Sequence, residues 1–111
     1  MTITVVNCRI GRHKGPGEYI GRPSPLGNPF KVAPHGPYER GKTIELYRKW
    51  LTDIWNTGGH NAQILELYRL AEIAVEGDLN LMCWCAPKPC HGDVIKELIE
   101  TKVAQGLGDS Q

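Results

Sequence analysis

The chain has 111 residues, 41% of them apolar and 23% charged, with a formal net charge of +1 from 13 basic and 12 acidic side chains. That length holds one ordinary globular domain with a modest core. The near-neutral balance disfavours a protein that coats a nucleic acid polymer, which needs a strong basic excess. No apolar run approaches bilayer length, and the first residues lack a basic leader followed by an apolar stretch, so a cytoplasmic location without membrane association is expected.

Residues 2–10 are rich in β-branched side chains and predict a first strand, with Val5-Val6 suggesting cover on both faces. Residues 11–41 hold most of the prolines and many glycines. Tyr19, Ile20, Leu26, Phe30 and Val32 recur through them, which predicts an ordered loop with one or two short strand pieces. A helix is predicted from an N-cap at Thr43 to about Asn56, with Ile44, Tyr47, Leu51, Ile54 and Trp55 on one face, stopped by Gly58-Gly59. A second is predicted over residues 61–76, with Ile64, Leu67, Tyr68, Ala71 and Val75 inward and Gly77 closing it. Residues 79–85 (LNLMCWC) read as a buried strand, ended by Pro87 and Pro89. The third helix starts near His91 or Gly92 and runs to about Gln105, with Val94, Ile95, Leu98, Ile99 and Val103 inward. Residues 1–107 form the domain and 108–111 a loose tail.

Two buried strands separated by helices predict a small, three-layer, Rossmann-like α/β domain with a short, mainly parallel sheet and about three helices. Ligands of such sheets collect beyond the strands' carboxyl ends. The loop after the first strand and the turn after the last therefore share one edge.

Two stretches there carry chemistry. In the first, Cys83-Trp84-Cys85-Ala86-Pro87-Lys88-Pro89-Cys90-His91-Gly92-Asp93, a strand enters a rigid turn and a helix begins. The first amides of a helix carry partial positive charge and point outward, so Gly92 and Asp93 are expected to hold an anion. Cys90 is a polar wall of that site or, with His91, a catalytic pair. Cys83 reads as core, and Trp84 as a packing residue on the opposite face. Cys83, Cys85, Cys90 and His91 also have zinc-binding side chains. Two thiols one residue apart on a strand sit about 6.5 Å apart, which is wide for one tetrahedral ion. No cofactor is therefore assigned, and zinc is kept only as an alternative.

The second stretch is Tyr19-Ile20-Gly21-Arg22-Pro23-Ser24-Pro25-Leu26-Gly27-Asn28-Pro29-Phe30. Arg22 offers a planar fork to phosphate. Asn28 suits either a base edge or a turn, and Ser24 adds a hydroxyl. With Asn7, Arg9, Tyr19 and Cys85, these residues make the expected ligand-binding set. Trp50, off the main stripe, marks a candidate homodimer face.

In its Gly27-Asn28-Pro29 and Cys83-Trp84-Cys85 motifs, and at Val5-Val6-Asn7, the sequence resembles the domain-of-unknown-function family 4326 of bacteria and their phages. The resemblance implies a compact α/β domain of phage or bacterial origin and carries no activity. The expected function is binding of a small anionic, nucleotide-derived ligand, as a sequestering or sensing protein. The alternatives are a Cys90/His91-dependent hydrolase or transferase acting on a nucleotide or sugar phosphate, and a zinc-stabilised structural domain.

Overall fold

The computed structural model describes residues 2–8, 17–30, 36, 38–84 and 90–106. In chain order they form β1 (Thr2–Asn7), β2 (Gly17–Tyr19), α1 (Arg40–Thr57), α2 (Ala62–Glu76), β3 (Asp78–Cys83) and α3 (His91–Ala104). The strands make one parallel sheet in the order β1-β3-β2. The last strand in sequence is thus the central one, which is why its Leu79, Asn80, Leu81 and Cys83 are all buried.

The α/β class, the parallel sheet and the three helices are as expected. Ile3, Leu79, Leu81 and Cys83 share one buried cluster with Tyr47 and Leu51 of α1, Leu67, Leu70, Ala71 and Ala74 of α2, and Val94, Ile95 and Ile99 of α3. The three helices touch one another, with α2 and α3 packed on the strands and α1 packed on α2 and α3. Thr2 and Thr4 on the opposite face are exposed, while the adjacent Val5 and Val6, which face opposite ways, are both half-buried.

Helix boundaries follow local chemistry. Asn61 caps α2, its side chain accepting from the Ile64 amide at 2.9 Å. α1 begins earlier than expected, after Glu39. Thr43 is not its cap but lies buried inside it, its hydroxyl donating to Arg40 O at 2.7 Å. Gly58 and Gly59 end α1 at φ 78° and 107°, a region that side chains disfavour. On α2, Tyr68 and Val75 are exposed and Leu70 and Ala74 take the inward positions. Trp50 is partly buried against the core, with Tyr47 at 5.6 Å and Phe30 at 6.5 Å between ring centres.

Candidate functional site at the carboxyl edge of the sheet

Because all three strands are parallel, Asn7, Tyr19 and Cys83 end on the same edge. Two further backbone bonds carry the pairing just past it, Cys8 N–H to Cys83 O at 2.8 Å and Ile20 N–H to Met82 O at 3.0 Å. Side chains then tie the three strand ends together. Asn7 Nδ2 donates to Trp84 O at 3.2 Å, Trp84 Nε1 donates to Tyr19 Oη at 3.1 Å, and Tyr19 Oη donates to Arg22 O at 2.8 Å. Trp84 is 57% exposed and Tyr19 37% exposed. The expected packing role for Trp84 is thereby corrected. β3 stops at Cys83, so Trp84 lies just beyond the strand and its ring stands at the surface.

The loop after β2 folds tightly on itself. Ser24 N–H bonds Gly21 O and Gly27 N–H bonds Ser24 O, making successive turns. Ser24 Oγ accepts from the Leu26 amide at 3.2 Å, and Asn28 Oδ1 accepts from the Phe30 amide at 2.8 Å. Arg22 directs one of its N–H groups to Asn28 O at 3.1 Å, and the Arg22–Pro23 peptide is cis. Ile20 and Leu26 anchor the loop in the core, where Tyr47 Oη donates to Leu26 O at 2.6 Å. Ser24 and Asn28, expected to face a ligand, thus use an oxygen each to shape the loop. Arg22 remains exposed at its rim.

The start of α3 departs from expectation in what its donors meet. Cys90 is the N-cap, and its amide donates to Asp93 Oδ2 at 3.0 Å. The Gly92 amide donates to Cys90 Sγ at 3.4 Å and the Asp93 amide to Cys90 O at 3.0 Å. This is a capping box with a thiol in place of the usual hydroxyl. The amides expected to point outward therefore meet acceptors of the chain itself. Nor does Gly92 open the backbone to a ligand. A β-carbon there would lie 2.9 Å from Ile20 Cδ1 and from Val5 Cγ1, so its smallness serves helix–sheet packing.

His91 closes the joint between the two stretches. Its Nε2 lies 2.8 Å from Ile20 O. A carbonyl only accepts, so Nε2 carries a proton, and in the neutral imidazole Nδ1 presents a lone pair. That lone pair is 3.5 Å from Cys90 Sγ, and the Tyr47 ring meets the imidazole edge-on at 5.1 Å. Cys90 Sγ is also 3.0 Å from Cys83 Sγ. Cys8, Cys83 and Cys90 are in the thiol form, without a disulfide. Burial pushes the Cys8 thiol above its ordinary range, and charge on Cys83 adds to this. Burial likewise raises the Tyr47 hydroxyl, with Cys90 the second cause.

Arg9 and Cys85 of the expected set lie outside the described residues, as do Lys88, Pro87 and Pro89. Among the described residues, no three His, Cys, Asp or Glu side chains are arranged to hold a metal ion. No helix among them is long and apolar enough to cross a membrane. An open groove of about 260 Å³ between the end of α1 and the start of α2, lined by Trp50, Asp53, Ile54, Thr57, Gly58 and Asn61, includes none of the expected site residues.

A family model described as domain of unknown function, DUF4326, matches residues 6–101. The chain belongs to this family. The matched span takes in both chemistry-bearing stretches and the helices that hold them together. Searches of curated proteins and of solved structures returned no match. The DUF4326 description assigns no activity, so the functional reading rests on the geometry of the edge. Sequence reasoning missed three of its features: the exposed indole, the Cys83–Cys90 contact and the tether from His91 to Ile20. None of the three has a local signal; the capping box at the same edge does, in Cys90-His91-Gly92-Asp93, obscured by a thiol at the cap.

Proposed function

We propose that this chain binds a small, anionic, nucleotide-class ligand at the carboxyl edge of its sheet. The observation that carries this reading is the exposed Trp84 indole, oriented by its bond to Tyr19 Oη, which in turn bonds the backbone of Arg22. An aromatic face held in place offers stacking to a base, and a guanidinium on the same hydrogen-bonded chain offers a fork to phosphate. Arg22, not the first amides of α3, is assigned the phosphate, because those amides already have acceptors. The near-neutral net charge fits a small ligand better than a polymer. Sequestering or sensing such a ligand in the cytoplasm of a bacterial cell, on behalf of a phage or of the bacterium, is the role we infer.

Binding is preferred to catalysis because Cys90 and His91 are only 2% and 8% exposed, and His91 Nε2 is engaged with Ile20 O. Calorimetric titration against mono-, di- and trinucleotides, cyclic nucleotides, dinucleotides and sugar phosphates tests the reading. One class gives saturable heat, and Trp84→Ala weakens it roughly 5- to 150-fold, the worth of one stacked base. Arg22→Ala weakens phosphorylated ligands while leaving the free nucleoside little changed. Absence of heat across the whole panel overturns the proposal.

A further inference from the structure

We propose that Cys83 and Cys90 form a peroxide-responsive dithiol that closes an intramolecular disulfide between the end of β3 and the start of α3. The two sulfurs are 3.0 Å apart, about 1 Å more than a disulfide bond and inside ordinary sulfur–sulfur contact. Both belong to elements fixed by other forces. Cys83 pairs with Asn7 across the sheet and its carbonyl accepts from Cys8, while the Cys90 amide is held by Asp93. The approach therefore needs no backbone search, only a small side-chain adjustment.

The surroundings distinguish the two sulfurs. Cys90 Sγ receives the Gly92 amide and stands at the positive end of α3, both of which favour negative charge on it. Cys90 Sγ faces Cys83 Sγ at 3.0 Å and His91 Nδ1 at 3.5 Å, and the imidazole nitrogen is the stronger base of the two to take its proton. Cys83, the last residue of a paired strand, has no helix end of its own and is the resolving sulfur. At 1% and 2% exposure the pair excludes a protein oxidant and admits only a small one such as hydrogen peroxide. Trp84, next to Cys83, is at the surface, so the path inward is short.

The chemistry balances. The Cys90 thiolate attacks one peroxide oxygen, the O–O bond breaks, and the departing hydroxide takes the proton held by His91 to become water. Cys90 is then a sulfenic acid. The Cys83 sulfur attacks the Cys90 sulfur, the S–O bond breaks, and the second water leaves with the proton of Cys83. Two thiols have lost two electrons and two protons, and one peroxide has become two waters.

A double variant, Cys8→Ser with Cys85→Ser, leaves only this pair. Under dilute hydrogen peroxide its titratable thiols fall from two to none, its intact mass drops by two hydrogens, no disulfide-joined dimer forms, and dithiothreitol restores both thiols. Fragmentation mapping of the oxidised natural chain, which serves equally if the variant does not fold, places the link between Cys83 and Cys90. Oxygen added to Cys90 with Cys83 still titratable overturns the proposal. So does a link through Cys8 or Cys85, a disulfide-joined dimer, thiols untouched by peroxide, or stoichiometric zinc that shields both thiols in the purified protein.

Discussion

A β-carbon on Gly92 would stand 2.9 Å from Ile20 Cδ1 and from Val5 Cγ1, closer than side chains pack. Ile20 is fully buried and cannot swing its end outward, and Val5 is branched at the β-carbon on a strand paired to β3. Gly92→Ala therefore overpacks the joint, at a cost of about 1–3 kcal/mol. The gain in helix propensity from Gly to Ala, about 1 kcal/mol, offsets part of this. The net expectation is a lower urea midpoint with an unchanged slope. A variant as stable as the parent would show that α3 does not rest on β1 and the β2 loop as closely as described. The same contact explains why a glycine beside a helix start, a frequent sign of ligand approach, has another cause here. Sequence gives the residue, but only the meeting of three elements says what its missing side chain makes room for.

At the scale of elements, legibility follows how local the determining contact is. The start of α2 could be read because Asn61 and the Ile64 amide it caps are three residues apart. Asn61→Ala is expected to cost about 1 kcal/mol, read as a lower urea midpoint. An unchanged midpoint would mean that packing of Ile64 and Leu67 alone sets this helix end. The start of α1 could not be read, because a threonine that caps a helix and one that bonds backward to its i−3 carbonyl look alike in sequence, and Thr43 is the second kind. The inward face of α2 was half legible. Leu67 and Ala71 were expected, whereas Leu70 and Ala74 displaced Tyr68 and Val75 because the neighbouring elements decide which stripe is covered. The meeting of the two chemistry-bearing stretches was legible from parallel strands alone. The occupation of the α3 amides was not, since it depends on a Cys90 thiol and an Asp93 carboxylate turning back on their own helix.

For the whole molecule, Tyr47 is the point where α1, the β2 loop and α3 converge. It is fully buried, donates to Leu26 O, and meets the His91 ring edge-on. Its hydroxyl is held above its ordinary value of 10.0, first by burial and then by Cys90, and the Cys8 thiol is held above 9.0, first by burial and then by Cys83. Both groups are neutral when protonated, so the folded chain keeps these protons at a pH where the unfolded chain has released them. Their contribution to stability is whole below the ordinary values and is lost as pH rises through them towards the raised folded values. Urea midpoints should hold steady from about pH 7 to 8, decline beyond about pH 9 as Cys8 enters, and fall faster beyond about pH 10 as Tyr47 joins. Tyr47 contributes up to about 1.4 kcal/mol per pH unit over its window, and the part-exposed Cys8, screened by solvent, contributes less. Tyr47→Phe separates the two. It lowers stability at neutral pH by about 1–3 kcal/mol, because Leu26 O loses its donor in the core. It also removes the steeper fall above about pH 10 while leaving the earlier decline in place. An alkaline slope the same in both proteins would place the titrating group elsewhere, and Tyr47 would then be a packing residue whose proton does not matter to the fold.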